Sequence, residues 1–260
     1  MDYERARFNM VEQQIRPWDV LDQDVLDLLM ATRREDFVSP AYRGLAFSDL
    51  EVPIAIAGKP SGETMLSPKV EGRILQALAL KRHESVLLIG AGSGYLAALM
   101  SYRARKITAI EIHPEIAKLA QANIKNAGIH NVLVHQGQGL ELLGGFSKLT
   151  QKGQSAALSS DIHPSADNLD ADDSGPVARN VERYDAIVLS GGLSHLPEQL
   201  IACLNPGARV FAFLGEFPVV RAKLLRAANS VRVTGLSEET LFETAIKPLQ
   251  GFRKTSHFTF

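Results

Sequence analysis

Three glycines alternate with small residues in VLLIGAGSGYLAAL: Gly90, Gly92 and Gly94. An apolar run enters them and a helical pattern leaves. No Cβ intrudes at such a turn, so backbone can come close to a ligand. A dinucleotide fingerprint would place its third glycine at Tyr95, so the spacing is Gly-x-Gly-x-Gly and not Gly-x-Gly-x-x-Gly. The following apolar segment, KITAIEI, carries an acid near its end, Glu111. A carboxylate there can accept two hydrogen bonds from ribose hydroxyls. Turn and acid in this order predict a nucleoside ligand with a free ribose. The bland reading stays open: a tight strand-to-helix turn beside an unrelated surface glutamate.

Such residues need a scaffold, and the chain supplies one by alternation. SVLLIG, KITAIEI, NVLVHQG, YDAIVLSGG and ARVFAFLG are short apolar runs of the kind that form buried parallel strands. YLAALMSYRA, PEIAKLAQANIKNAG and LPEQLIACLNPG have helical patterns, the second with Pro114 early and Gly128 after its end. Strands alternating with helices predict an α/β fold: a doubly wound, mostly parallel, Rossmann-like sheet with helices on both faces. SVRVTGLSEETLFETAI and KTSHFTF lack a long helix between them and are expected as antiparallel strands at the C-terminal edge.

Residues 1–80 are of another kind. Helical patterns cover residues 3–15 and 22–32, a Pro- and Gly-rich stretch follows, and KVEGRILQALAL leads into the sheet. This part is expected to be a helical cap with a substrate loop, over a nucleoside-binding domain at 81–260. From about 147 to 183 the chain is rich in Ser, Asp, Gly and Asn. It cannot bury enough apolar surface to offset ordering, so a polar insertion is expected there.

Composition removes several classes. The 260 residues are 45% hydrophobic and carry a formal charge of −1, which gives no sign of a nucleic-acid or membrane binder. The single cysteine, Cys203, has no internal disulfide partner and reads as a buried hydrophobe in a reducing, cytoplasmic setting. The charged N-terminus shows no signal peptide, and no apolar run approaches the ~20 residues of a membrane span. The seven His residues show no metal-ligand spacing, and His195 reads as a polar residue at a helix entry.

VLLIGAGSGYLAAL followed by ITAIEIHPEIAKLAQANI resembles the motifs of class I S-adenosylmethionine-dependent methyltransferases. FNMVEQQIRPWDVLDQDVLDLLMATRREDFVSPAYRGLAFSDLEVPI, GETMLSPKVEGRILQAL and YDAIVLSGGLSHLPEQLIACLNPGARVFAFLG carry the resemblance to the protein-L-isoaspartate O-methyltransferase family. It implies S-adenosyl-L-methionine as cofactor and a damaged protein or peptide as partner, methylated on an isoaspartyl carboxylate. It implies cofactor contacts from Gly90, Gly92, Ser93, Gly94, Glu111 and Gln138. Thr64 and Ser67 are the loop hydroxyls it implies for orienting the acceptor. A carboxylate is already ionised at neutral pH, so positioning matters more than a general base. Both hydroxyls also suit capping of the helix that begins near Pro68.

The chain departs from the family pattern in places. Leu88 stands where an acid usually orients the methionine end of the cofactor. Gln138, between Gly137 and Gly139, replaces an Asp that takes the adenine amino group, and its oxygen can still accept that bond. Aligned on Gly62, Thr64 and Pro68, the loop serine falls on Leu66, and Ser67 comes one residue late. Glu63 replaces a common Gln and would repel a carboxylate unless Lys59 or Lys69 offsets it. Two alternatives therefore stand: methylation of a different substrate, or a cofactor-binding scaffold without repair activity. LSGGLSH, where amino-methylating enzymes carry an Asn/Asp-Pro-Pro-aromatic motif, argues against nucleic acid as acceptor. Oligomeric state is not legible.

Overall fold

Apolar side chains along β3 (Ser85–Ile89) are buried on both faces, which requires layers on both sides of the strand. The computed structural model, which describes residues 2–139, 141, 182–216, 218–229 and 235–252, supplies them. β3, β4 (Lys106–Glu111), β5 (Val132–Gln136), β6 (Tyr184–Leu193) and β7 (Leu204–Leu214) are parallel; β8 (Val219–Ala227) and β9 (Leu236–Ala245) close one edge antiparallel. The sheet order is β5-β4-β3-β6-β7-β8-β9. The chain order reverses between β3 and β6, the switch point where open sheets of this kind leave a crevice at their carboxyl ends.

Alternate residues of β3 feed two cores. Val86 and Leu88 join one, with Ile107, Ala109, Val188, Phe211 and the helices α3 (Pro68–Leu78), α4 (Tyr95–Ser101) and α5 (Pro114–Asn126). Leu87 and Ile89 join the other, with Ile187, Val210, Leu200 and Cys203. This is the period-2 alternation of a strand. Burial pushes the Cys203 thiol up to about 11, in keeping with an inert core residue.

The N-terminal elements follow the expected helices, with refinements. α1 (Tyr3–Met10) continues as a wider turn over Val11–Ile15. α2 (Gln23–Ala31) is capped by Asp22, whose carboxylate accepts from the Asp24 and Val25 amides. Between them and α3 lies a hairpin that the Pro/Gly-rich reading did not anticipate, β1 (Pro53–Ile56) and β2 (Lys59–Thr64). Ala57 and Gly58 both take positive φ, 49° and 79°, the geometry of a tight two-residue hairpin turn.

Two further expectations change. LPEQLIACLNPG forms only one helical turn, α6 (Glu198–Ile201), and β7 already begins at Leu204. Pro206 cannot donate to a continuing helix, and the segment pairs with β6 instead. VVRAKLLRA is a strand, β8, that alternation alone did not suggest. The expected insertion lies outside the described residues except for Glu182 and Arg183, and so does KTSHFTF.

Candidate functional site

The glycine turn is built by long-range hydrogen bonds. The Gly90 and Ala91 amides donate to Ile110 O at 2.8 and 3.0 Å, tying the end of β3 to β4. Glu111, 5% exposed, accepts from the Gly92 amide at 2.9 Å on Oε2 and from the His113 amide at 3.1 Å on Oε1. Gly90, Gly92 and Gly94 have φ of 91°, 54° and 88°. At Gly90 a Cβ would also lie 2.0 Å from Ser190 Oγ, a hydroxyl that donates to Ile89 O and Gly90 O.

Beside this turn is a cleft whose empty volume, counted to its open mouth, is about 910 Å³. Thr64, Gly90, Gly92, Ser93 and Glu111 all line it. The loop expected to carry the acceptor and the turn expected to carry the cofactor thus face one space.

Three expected residues stand outside the lining. Gly94 is the N-cap of α4, where a Cβ would come within 3.3 Å of Ala120 O on α5; it serves helix packing. Gln138 is exposed, although Gly137 and Gly139 on either side line the cleft. Ser67 is the N-cap residue of α3, but its hydroxyl makes no capping bond. Pro68 at the first helical position follows it, and the Ser67 carbonyl accepts from the Val70 and Glu71 amides.

Around Thr64 the cleft carries two carboxylates and one ammonium, that of Lys247, which lines the cleft and donates to Gly62 O. Thr64 Oγ1 donates to Glu51 Oε2 at 2.8 Å, and both residues line the cleft with Glu63. Neither lysine considered for offsetting Glu63 lines the cleft. Lys59 sits on β2, and Lys69 pairs with Asp49 at 2.7 Å with its ammonium 4.0 Å above the Trp18 ring. The partners of Glu63 come from elsewhere: Gln250 Nε2 donates to it at 2.9 Å, and His113 Nε2 is 3.8 Å away.

Gln250 belongs to a C-terminal segment that the sequence did not place. It crosses the carboxyl ends of β3 and β6 at residues 246–252. Gly192 N donates to Lys247 O at 2.8 Å and Leu249 N to Gly192 O at 2.9 Å. A Cβ on Gly191 would meet Leu249 backbone at 3.0 Å, so Gly191 in LSGGLSH was the available signal.

A second feature lies at the wall formed by α3 and α4. Glu71 is 2% exposed and lines the cleft; Oε2 accepts from buried Arg34, whose Nη2 also donates to Leu66 O at 2.7 Å. Burial raises the Glu71 carboxyl to about 7, against the pull of Arg34. Tyr95 lines the same wall, with the Arg34 guanidinium 4.9 Å above its ring and Phe37 edge-on at 5.4 Å. The Tyr95 hydroxyl is buried without a hydrogen-bond partner in this structure. Leu88 is fully buried in the core and takes no part in the wall. Among the described residues no group of three His, Cys, Asp or Glu is placed to hold a metal, and no helix is long and apolar enough to cross a membrane.

Residues 5–148 match the family model described as protein-L-isoaspartate(D-aspartate) O-methyltransferase. A relative from Rhodopseudomonas palustris, named protein-L-isoaspartate O-methyltransferase, is 31% identical over 93% of this chain and 92% of its own length. Relatives of the same name from Herpetosiphon aurantiacus and Aeropyrum pernix are 35% and 38% identical over 53% and 50% of this chain. Those matches span 59% and 50% of the relatives' length. A solved protein-L-isoaspartate O-methyltransferase shares the fold with a TM-score of 0.67 at 19% identity, covering 95% of this chain and 65% of that one. A Plasmodium falciparum protein assigned to the same class, solved with S-adenosyl-L-homocysteine, aligns at 0.66 and 16% identity over 97% of this chain and 100% of its own.

Proposed function

The chain belongs to the protein-L-isoaspartate(D-aspartate) O-methyltransferase family, and from that premise we propose that it transfers a methyl group from S-adenosyl-L-methionine to the side-chain carboxylate of L-isoaspartyl residues in damaged proteins or peptides. The observation that carries this reading is that Thr64 and the glycine turn with Glu111 line one cleft. The residues present fit the cofactor. Gly92, where a Cβ would meet only Ile54 Cδ1, leaves room for close approach, Glu111 retains acceptor capacity for ribose hydroxyls, and the Tyr95 hydroxyl has no other partner. When bound, S-adenosyl-L-methionine supplies a methyl group on sulfonium sulfur, open to attack by a carboxylate oxygen as the methyl–sulfur bond breaks toward sulfur.

The protein's part is positioning and shielding. Residues 246–252 and the 62–66 loop wall off the reacting end, which strengthens the attraction between the carboxylate and the sulfonium. Thr64 orients the acceptor; to donate to it, its hydroxyl turns away from Glu51. In this reading residues 1–80 are the cap that presents the acceptor loop, and 81–260 hold the cofactor. The lone buried Cys203 suits a reducing compartment such as the cytoplasm.

The test compares an isoaspartyl peptide with its aspartyl twin and a labelled methyl donor. Selective labelling of the isoaspartyl peptide is expected; equal labelling, or none at high enzyme concentration, overturns the reading. A second reading, methyl transfer to a neutral or cationic acceptor, is favoured by one observation: Glu51 and Glu63 both face the acceptor end. Labelling of an amine-bearing peptide in preference to the isoaspartyl one would select it.

A further inference from the structure

Two polar groups of the cleft wall have no part in the contacts described for ribose or acceptor: the Glu71 carboxylate and the Tyr95 hydroxyl. They come from different elements, α3 and α4, and both are at least nine-tenths buried. Burying a carboxylate is costly unless a charge meets it, and Arg34 meets this one on Oε2. Arg34 itself is fully buried and does not line the cleft. What the wall offers a ligand is therefore the Glu71 carboxylate and the unpartnered hydroxyl of Tyr95, whose ring lies under the same Arg34 guanidinium that pairs with Glu71. That pairing suits a positively charged hydrogen-bond donor.

The fold sets which end of the ligand arrives there. Glu111 ends β4, on one side of β3. α3 packs on the other side, over β7, where Arg209 Nε donates to Leu78 O at 2.7 Å. The glycine turn lies between them, and Tyr95 follows it directly in the chain. A ligand with its ribose on Glu111 and its 5′ substituent along the turn would bring the far end of that substituent to Glu71 and Tyr95. In S-adenosylmethionine that end is an amino acid, and its ammonium has the required charge and donors.

We propose that Glu71 and the Tyr95 hydroxyl together receive the α-ammonium group of the methyl donor, making Glu71 a cofactor-positioning residue contributed by α3. This rests on the cofactor reading above. Glu71 orients the amino-acid end, and the thioether position follows from that anchor at one end and Glu111 at the other.

The experiment measures binding of S-adenosylhomocysteine and of 5′-methylthioadenosine, which keeps the adenosine and thioether but lacks the amino acid. Calorimetry is run on the full chain and on Glu71→Gln. The variant is expected to bind S-adenosylhomocysteine about tenfold or more weakly, while 5′-methylthioadenosine changes by less than about twofold, since a bond between two charged groups is lost for one ligand only. Equal loss for both ligands, or loss for neither, overturns the proposal. If Glu71→Gln does not fold, Tyr95→Phe decides by the same ratio, with about threefold expected; it removes a hydroxyl that has no partner, so the fold tolerates it. Binding of neither ligand by the native protein rejects the cofactor reading and this proposal with it. Native binding with an unchanged ratio rejects this proposal alone.

Discussion

Glu111 closes the glycine turn by accepting the Gly92 amide at 2.9 Å. One carboxylate thus holds the turn in shape, and in the function proposed above the same carboxylate accepts from the ribose. Glu111→Ala is expected to weaken S-adenosylhomocysteine binding by about 1–3 kcal/mol, the range for hydrogen bonds to a charged group and for a buried donor left unpaired. Calorimetry checks it, with NAD as the ligand that should not bind.

Gly90 and Gly92 differ in what surrounds them. At Gly92 a Cβ would meet only Ile54 Cδ1, at 3.6 Å. At Gly90 it would displace the Ser190 hydroxyl from its two carbonyl partners and press on Leu249 at 3.3 Å. Gly90→Ala is expected to lower Tm by several degrees more than Gly92→Ala, at roughly 2–4 °C per kcal/mol for a protein of this size. Thermal melting of the two variants decides it, and equal losses would show that Ser190 rotates away freely.

Glu71 makes stability depend on pH in a definite direction. Its carboxyl is raised from 4.5 to about 7 by burial, against the pull of Arg34. Between those values the folded protein keeps a proton that the unfolded chain has released. This contribution is fully present below 4.5 and is lost as pH rises through about 7. Relative to Glu71→Gln, which cannot ionise, native Tm should fall between about pH 5 and pH 8. A constant difference across that range would refute it.

Thr64 and Ser67 are predicted to separate. Thr64→Ala removes a hydroxyl inside the cleft and should lower kcat/KM for the isoaspartyl peptide by about tenfold, the value of one hydrogen bond to a charged group. Ser67→Ala removes a hydroxyl with no capping bond, so activity and Tm should stay near native, within about 0.5 kcal/mol. A steady-state comparison that ranks them the other way would move the acceptor toward α3.

Glu51→Gln should raise kcat/KM for a carboxylate acceptor, because it takes away a negative charge beside Thr64 and frees the hydroxyl to turn. A fall in activity would mean that Glu51 itself contacts the acceptor, and would favour a cationic one.

Local pattern reached far into this chain. The apolar runs and the helical repeats between them carry their own period, so β3 to β7 and helices α4 and α5 were legible, as was the turn that joins β3 to α4. The exceptions were local conflicts resolved at a distance. LNPG left the helical pattern because β6 offers pairing partners from residue 184 onward. Residues 219–227 became a strand because β7 presented an open edge.

At the site the division is similar. Gly90, Gly92 and Glu111 were marked by the sequence, because a turn that needs positive φ selects glycine and an acid at a strand end has few local uses. Which hydroxyl enters the cleft was a tertiary matter. Thr64 and Ser67 are three residues apart, and the path of the chain from β2 into α3 turns one in and leaves the other out. Gln250 meets Glu63 across 187 positions, and Arg34 meets Glu71 across 37. No short window of sequence contains both partners of either pair. Only the fold brings them together, the Arg34–Glu71 ion pair in the buried wall and the Gln250–Glu63 hydrogen bond in an exposed position.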